Sequence, residues 1–195
     1  MNRTLFLTLR SPFARKAQLM LIEKALPFEM AVVDLSARSA AFVAISPLGK
    51  VPVLQDEDGT VVFDSTVIAE YLEDCYPETP MFGVGTRQRL LHRQLDELGD
   101  TAAEQAVTLF FSKDKAALDK AQQQLHKSFR EISARIARGE VPKDFGVGQA
   151  AVICTLGYLE FRLGRTTIEA YPAIEQWLAP FADRKSVLAA PGPQG

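Results

Sequence analysis

The chain reads as an α/β layer followed by an all-helical domain, and three observations lead there. Strand-like and helix-like segments alternate over residues 1–76. Pro77, Pro80, Gly83 and Gly85 then crowd together, and past residue 86 the apolar periodicity is helical throughout. The 195 residues, 47% hydrophobic and 24% charged, suit a globular protein that buries a core without disulfide or metal staples. A net charge of −2, from 22 basic and 24 acidic residues, argues against a nucleic-acid-binding protein, which carries a basic excess.

In the first part, residues 4–9 are short, apolar and β-prone, and predict a strand. Ser11-Pro12 follows as an N-cap and a first helical residue, opening a helix to about residue 25 with Ala14, Ala17, Leu21 and Ala25 on one face. Leu26-Pro27 ends it. Residues 28–35 predict a second strand and residues 37–44 a short helix. The turn-rich stretch Ser46-Pro47-Leu48-Gly49-Lys50 leads into a strand over residues 51–54. Asp58-Gly59, a two-residue hairpin turn, joins it to a strand over residues 60–63. Asp64-Ser65 opens a helix to about Cys75 with Val67, Ile68, Tyr71, Leu72 and Cys75 on its apolar face. The order is βαβαββα.

Residues 77–85 read as a linker, which sets the division at 1–76 and 86–195. A long helix over residues 86–111 has Gly99 as a candidate bend. A second over residues 113–138 ends at Gly139 as C-cap. Residues 150–163, nearly all apolar, predict the central helix of the bundle. Pro172 starts a last helix carrying Ile174, Trp177, Leu178 and Phe181, and residues 191–195 are expected to be disordered.

Cys75 and Cys154 fall in no C-x-x-C or metal spacing and read as buried free thiols of a reducing cytosol. Residues 1–7 lack the apolar stretch and cleavage site of a leader, and no apolar run is long enough to span a membrane. His92 and His126, among charged neighbours on long helices, read as surface or domain-interface residues. Arg87, Arg89 and Arg93 read as a solvated or interface face, and no metal spacing is visible.

Three places could carry chemistry, and each has a plainer alternative. Ser11 is either a helix cap or a hydroxyl donor to a ligand's sulfur, at a helix end whose free N–H groups and dipole stabilise an anion. The Val51-Pro52 bond is either trans at a strand start or cis. If cis, the main-chain groups of Val51 turn outward to pair with an extended peptide. Asp64 and Ser65 either cap their helix or grip the ammonium and carboxylate of an amino-acid head group.

Their order in the chain resembles the glutathione S-transferase superfamily, bacterial cytosolic type. The resemblance is carried by Ser11-Pro12-Phe13-Ala14-Arg15-Lys16, by Ser46-Pro47-Leu48-Gly49-Lys50-Val51-Pro52-Val53-Leu54, by Phe63-Asp64-Ser65-Thr66-Val67-Ile68-Ala69-Glu70-Tyr71-Leu72 and by Gly157-Tyr158-Leu159-Glu160-Phe161-Arg162. It covers nearly the whole chain. It implies a thioredoxin-like N-terminal domain, with glutathione as co-substrate and no metal, and an all-α C-terminal bundle supplying the pocket of an electrophilic small molecule.

By the same resemblance Pro52 is cis and Val51 pairs with the cysteinyl backbone of glutathione. Asp64 and Ser65 hold its γ-glutamyl end, Lys50 lies in the binding loop, and Ser11 stands near the sulfur as the catalytic residue. Two chains form a cytoplasmic homodimer. The resemblance also leaves room for a second class: some bacterial members act as partners of the transcription machinery rather than as enzymes. Two departures from the family pattern stand out. Arg10 precedes Ser11 where many relatives have a small or hydroxyl residue, and Gly146-Val147-Gly148-Gln149 replaces a Ser/Thr-x-x-Asp box at the start of the central helix.

Overall fold

The computed structural model describes residues 2–190, 192 and 193. The first part is β1 (Thr4–Leu7), α1 (Pro12–Glu23), β2 (Glu29–Val32), α2 (Ala40–Ile45), β3 (Val53–Gln55), β4 (Val61–Val62) and α3 (Ser65–Cys75). The sheet order is β2-β1-β3-β4; β1 runs parallel to β2 and antiparallel to β3, and β4 closes an antiparallel hairpin with β3. This is the expected thioredoxin-like βαβαββα layer.

All four strands are shorter than their apolar runs. β1 stops at Leu7 because the chain turns at once: the Ser11 N–H bonds the Thr8 carbonyl at 3.2 Å and Ser11 caps α1. α1 ends at Glu23, and Ala25 takes a left-handed φ of 53° while the Leu26 N–H returns to the Leu21 carbonyl. β2 lies at the sheet edge with Met30 and Val32 exposed. α2 starts later than its apolar pattern because Ser39 caps it through the Phe42 N–H.

The second part holds α4 (Thr86–Phe111), α5 (Lys115–Arg138), α6 (Val147–Leu163), α7 (Thr166–Glu169), α8 (Pro172–Leu178) and α9 (Lys185–Ala189). α4 runs unbroken through Gly99, so that glycine serves close approach, not a bend. A Cβ there would lie 2.8 Å from Cβ of Ala151 on α6, and Thr155 Oγ1 donates to the Gly99 carbonyl at 2.9 Å. Gly139 caps α5 in the left-handed region as expected. The expected last helix breaks at Pro180 into a 3-10 turn (Ala179–Phe181), and α9, which the apolar spacing does not reveal, follows it. Of the tail expected to be disordered, Pro191, Gln194 and Gly195 lie outside the described residues; Gly192 and Pro193 have no regular structure.

α6 explains how the two parts join. Its apolar character is continuous because it is covered on both sides. Val147, Ala150 and Cys154 belong to the core formed by the sheet, α1 and α3, together with Met81 and Phe82. Val152, Tyr158 and Leu159 belong to the core between α4, α5 and α8. α6 begins three residues before its apolar run, where Gln149 closes its start. Gln149 Oε1 accepts from the Gly146 N–H at 3.2 Å, and Nε2 donates to the carbonyls of Pro142 and Asp144. The neutral amide thus does the work of the missing acidic partner, while Gly146 has no side chain to supply the other half of a capping box.

Two side-chain expectations are corrected. Cys75 is exposed, because α3 turns its last residue outward, whereas Cys154 is fully buried and its thiol is pushed up to about 12 by burial. Val67 is also exposed, so the inward face of α3 is narrower than the apolar set suggests. No helix among the described residues is long and apolar enough to cross a membrane.

Candidate functional site

Between the two parts lies a cleft of about 1080 Å³. One wall is the turn after β1 with the first residues of α1, the segment after β2, and the loop through Gly49, Lys50 and Val51; the other is α4 and α6.

Ser11 lines this cleft. Its Oγ accepts from the Ala14 N–H at 3.2 Å. A hydroxyl has one donor and two acceptor sites, so capping leaves its O–H to donate elsewhere. The helix end is otherwise nearly spent. Pro12 has no N–H, the Ala14 N–H is held by Ser11 Oγ, and the Arg15 N–H bonds the Ser11 carbonyl at 3.0 Å. The Phe13 N–H remains, on a residue that also lines the cleft.

The loop at residues 46–50 is fixed by Ser46, whose Oγ donates to the Lys50 carbonyl at 2.9 Å and accepts the Lys50 N–H at 3.1 Å. Gly49 has φ 60°, and a Cβ there would lie 2.9 Å from the Arg38 guanidinium folded over it. Lys50 and Val51 reach the cleft, the Val51-Pro52 bond is cis, and Pro52 is buried behind them. β3 starts at Val53, so the main-chain groups of Val51 lie outside the ladder.

Asp64 and Ser65 do not line the cleft itself; they sit at the start of α3 beside it. Asp64 Oδ1 accepts from the N–H groups of Thr66 at 3.0 Å and Val67 at 3.4 Å, which leaves Oδ2 on an exposed carboxylate. Ser65 is buried. The link to the cleft is Glu104 of α4. Burial pushes its carboxyl up, with further upward push from Asp100, Glu97 and Asp64 and an opposing pull from Lys50.

Beneath this edge lies an ionic cluster that the sequence reading missed. Lys16, fully buried on α1, places Nζ 2.7 Å from Asp96 Oδ1 and 2.5 Å from Asp100 Oδ2 on α4, and Thr66 Oγ1 donates to Asp100 at 3.3 Å. Burial opposes the ammonium charge, yet the two carboxylates hold its pKa above the ordinary lysine value. The signal was available: Asp96 and Asp100 are four apart on one helix, where like charges repel unless a cation sits between them. Arg38, Glu104 and Arg162 were also unassigned, being separated by long stretches of chain.

Other polar residues fall close to expectation. His92 is buried against the linker and Gly146, an interface residue with Nδ1 unpartnered. His126 Nδ1 lies 2.8 Å from the Tyr171 hydroxyl. Arg89 and Arg93 bridge to Glu70 of α3 and Arg87 is exposed. Among the described residues no group of His, Cys, Asp and Glu is arranged to hold a metal.

Comparison with known proteins agrees with this architecture. Residues 10–75 match the glutathione S-transferase N-terminal domain and residues 115–179 the glutathione S-transferase C-terminal domain. The uncharacterized GST-like protein YibF of Escherichia coli is 30% identical over 161 residues, covering 78% of this chain and 79% of that protein. Glutathione S-transferase U6 of Arabidopsis thaliana is 30% identical over 155 residues, 79% of this chain and 65% of its own length. Among solved structures, a glutathione S-transferase from Methylobacillus flagellatus with glutathione bound superimposes with a TM-score of 0.87 at 27% identity, over 96% of this chain and 98% of its own. With both halves matched in order and a relative covered over most of its length, the chain belongs to the glutathione S-transferase superfamily.

Proposed function

We propose that the cleft binds glutathione and activates its thiol for attack on an electrophilic small molecule. The carrying observation is the Ser11 hydroxyl: its acceptor side is used in capping α1, its O–H is free, and it faces a cleft bounded by Val51 on one side and the helical domain on the other. A bound thiol there loses its proton to solvent. The thiolate then accepts from the Ser11 O–H and, at the same helix end, from the Phe13 N–H, in the positive potential of the α1 dipole and the nearby Arg10. Each pKa unit gained is worth about 1.4 kcal/mol, so two charge-assisted hydrogen bonds suffice to ionise much of a thiol near neutrality.

The rest of the tripeptide is held by the remaining residues. Val51 pairs with the cysteinyl main chain, next to Pro52 and with Lys50 supplying positive charge for a glycyl carboxylate. Asp64 Oδ2 and Glu104 face the γ-glutamyl ammonium, and the Ser65 N–H and hydroxyl meet its carboxylate. The chain acts as a homodimer, as the resemblance implies. Tyr71 and Leu72 turn inward, so the pairing face is formed by the exposed Val67 and Leu90, 51% and 52% accessible, around the Glu70–Arg93 ion pair.

Isothermal calorimetry with reduced glutathione tests the site. Binding weakens by about tenfold or more in Asp64→Ala and in Ser65→Ala, the loss expected for one hydrogen bond to a charged group. Wild-type affinity in both variants, each with native circular dichroism, would refute the assignment.

A further inference from the structure

The cleft contains a guanidinium that no carboxylate among the described residues neutralises. Arg162, near the end of α6, lines the cleft and is clasped by aromatic rings: its guanidinium lies 4.1 Å from the Phe110 ring centre and 4.7 Å from that of Phe161. Ring faces hold a guanidinium in place without neutralising it. Its Nε is buried with no hydrogen-bond partner, and no carboxylate pairs with it among the described residues. Neighbouring acids are committed elsewhere. Glu160 pairs with Arg165, Asp34 bonds the N–H and hydroxyl of Ser36, and burial pushes the Glu104 carboxyl up, toward its neutral form. In a chain with net charge −2, the cleft carries four cations against two carboxylates. A half-buried, positioned arginine with no carboxylate partner among the described residues is a receptor for an anion, because the planar guanidinium takes a carboxylate through two parallel hydrogen bonds.

We propose that Arg162 binds a carboxylate on the electrophile, so that the preferred co-substrates are anionic molecules with an apolar frame lying against Phe111 and Tyr158. This rests on the glutathione reading and narrows it to a substrate class. For a chloronitrobenzoate the step is an aromatic substitution. The glutathione thiolate forms a C–S bond at the chlorine-bearing carbon, the C–Cl bond breaks, and chloride leaves with the bonding pair; the thiol proton has already gone to solvent.

Two product-like ligands of nearly equal shape, S-(2-carboxyethyl)glutathione and S-propylglutathione, separate the charge from the frame. In calorimetry on the wild-type protein the carboxyethyl compound binds about tenfold or more tightly than the propyl compound, a factor worth about 1.4 kcal/mol. The gap closes in Arg162→Gln and survives in part in Arg162→Lys. In turnover, the preference for 4-chloro-3-nitrobenzoate over its methyl ester, each corrected for its uncatalysed rate, falls in parallel. Equal wild-type affinity for the two ligands overturns the inference whatever the variants do, as does a full gap in a natively folded Arg162→Gln. If neither ligand nor glutathione binds, the glutathione reading itself fails and takes this inference with it.

Discussion

His92 makes the fold acid-sensitive in a way that can be isolated. The ring is 1% exposed, packed between the linker and the start of α6, where a Cβ on Gly146 would collide with it. Burial holds its pKa down to about 4, although Glu73 and Asp144 pull the other way. In the unfolded chain the same ring titrates near 6.5. Between those values the unfolded state binds the proton and the folded state does not, so stability is complete above about pH 6.5 and declines as pH falls toward 4. The full difference corresponds to about 3 kcal/mol, and about 2 kcal/mol of it is lost by pH 5. Urea unfolding followed by far-ultraviolet dichroism at about pH 7.5 and pH 5, on the wild type and on His92→Gln, measures it. Acid also costs the stability held by depressed carboxylates such as Asp56, Glu73 and Glu23, but that loss is largely common to both proteins. The wild type should lose about 2 kcal/mol more than the variant over this interval. Equal losses would show that His92 takes up its proton without opening the interface, and the reasoning would fail.

Lys16→Met leaves the buried Asp96 beside the partly buried Asp100 with no cation between them, and should destabilise by about 3–5 kcal/mol in the same urea assay; a loss under about 1 kcal/mol would mean that the carboxylates protonate at little cost. Sedimentation velocity at micromolar concentration should show a dimer that Val67→Glu with Leu90→Glu converts to monomer; a wild type that sediments only as monomer removes the dimer. Ser11→Ala should lower turnover with a generic electrophile by about ten- to a hundredfold and raise the pKa of bound glutathione, with affinity kept within a few fold. Full turnover with an unshifted thiol would return Ser11 to the role of helix cap.

The order of elements was legible because each boundary is written locally. Ser11-Pro12, Asp64-Ser65 and Gly139 are caps whose chemistry acts within four residues, and they stand where expected; the hairpin is corrected by one residue, because its turn is centred on Glu57-Asp58, where the Gly59 N–H bonds the Asp56 carbonyl, and Gly59 follows it at φ 89° instead of forming a two-residue turn with Asp58. Strand lengths were not, since they depend on how far a neighbour's ladder extends: the apolar run over residues 4–9 continues past the last residue that β2 and β3 can pair. Cys75 and Val67 show the same limit for faces. Helical spacing gives the angle between side chains but not how wide a stripe the partner covers. Short elements such as α7 and α9 have too few turns to show a period at all. In the cleft, Ser11, Lys50 and Val51 were readable because each lies in a local motif. Glu104 and Arg162 were not, because they come from helices whose approach is fixed only by packing such as Gly99 against Ala151.

The two readings weighed for Ser11 and Asp64, cap or binding group, turn out not to compete. A cap needs one acceptor facing back toward the helix; a hydroxyl or a carboxylate has more than one polar site. Ser11 gives a lone pair to Ala14 and keeps its O–H, while Asp64 gives Oδ1 to Thr66 and Val67 and keeps Oδ2. Capping fixes each side chain's rotamer, and that fixes the direction of the group left over. The side-chain entropy that a flexible residue would lose on binding a ligand is here already lost on folding, so the free group meets its partner at lower cost. The same reasoning extends to Arg162, whose guanidinium is ordered by the rings of Phe110 on α4 and Phe161 on α6. In each case a fold-stabilising contact uses part of the side chain and leaves the rest available, in the cleft for Ser11 and Arg162 and beside it for Asp64. A substitution that keeps the cap but removes the aimed group, Asp64→Ser, should therefore weaken glutathione binding with little change in stability, whereas Asp64→Ala should lose both.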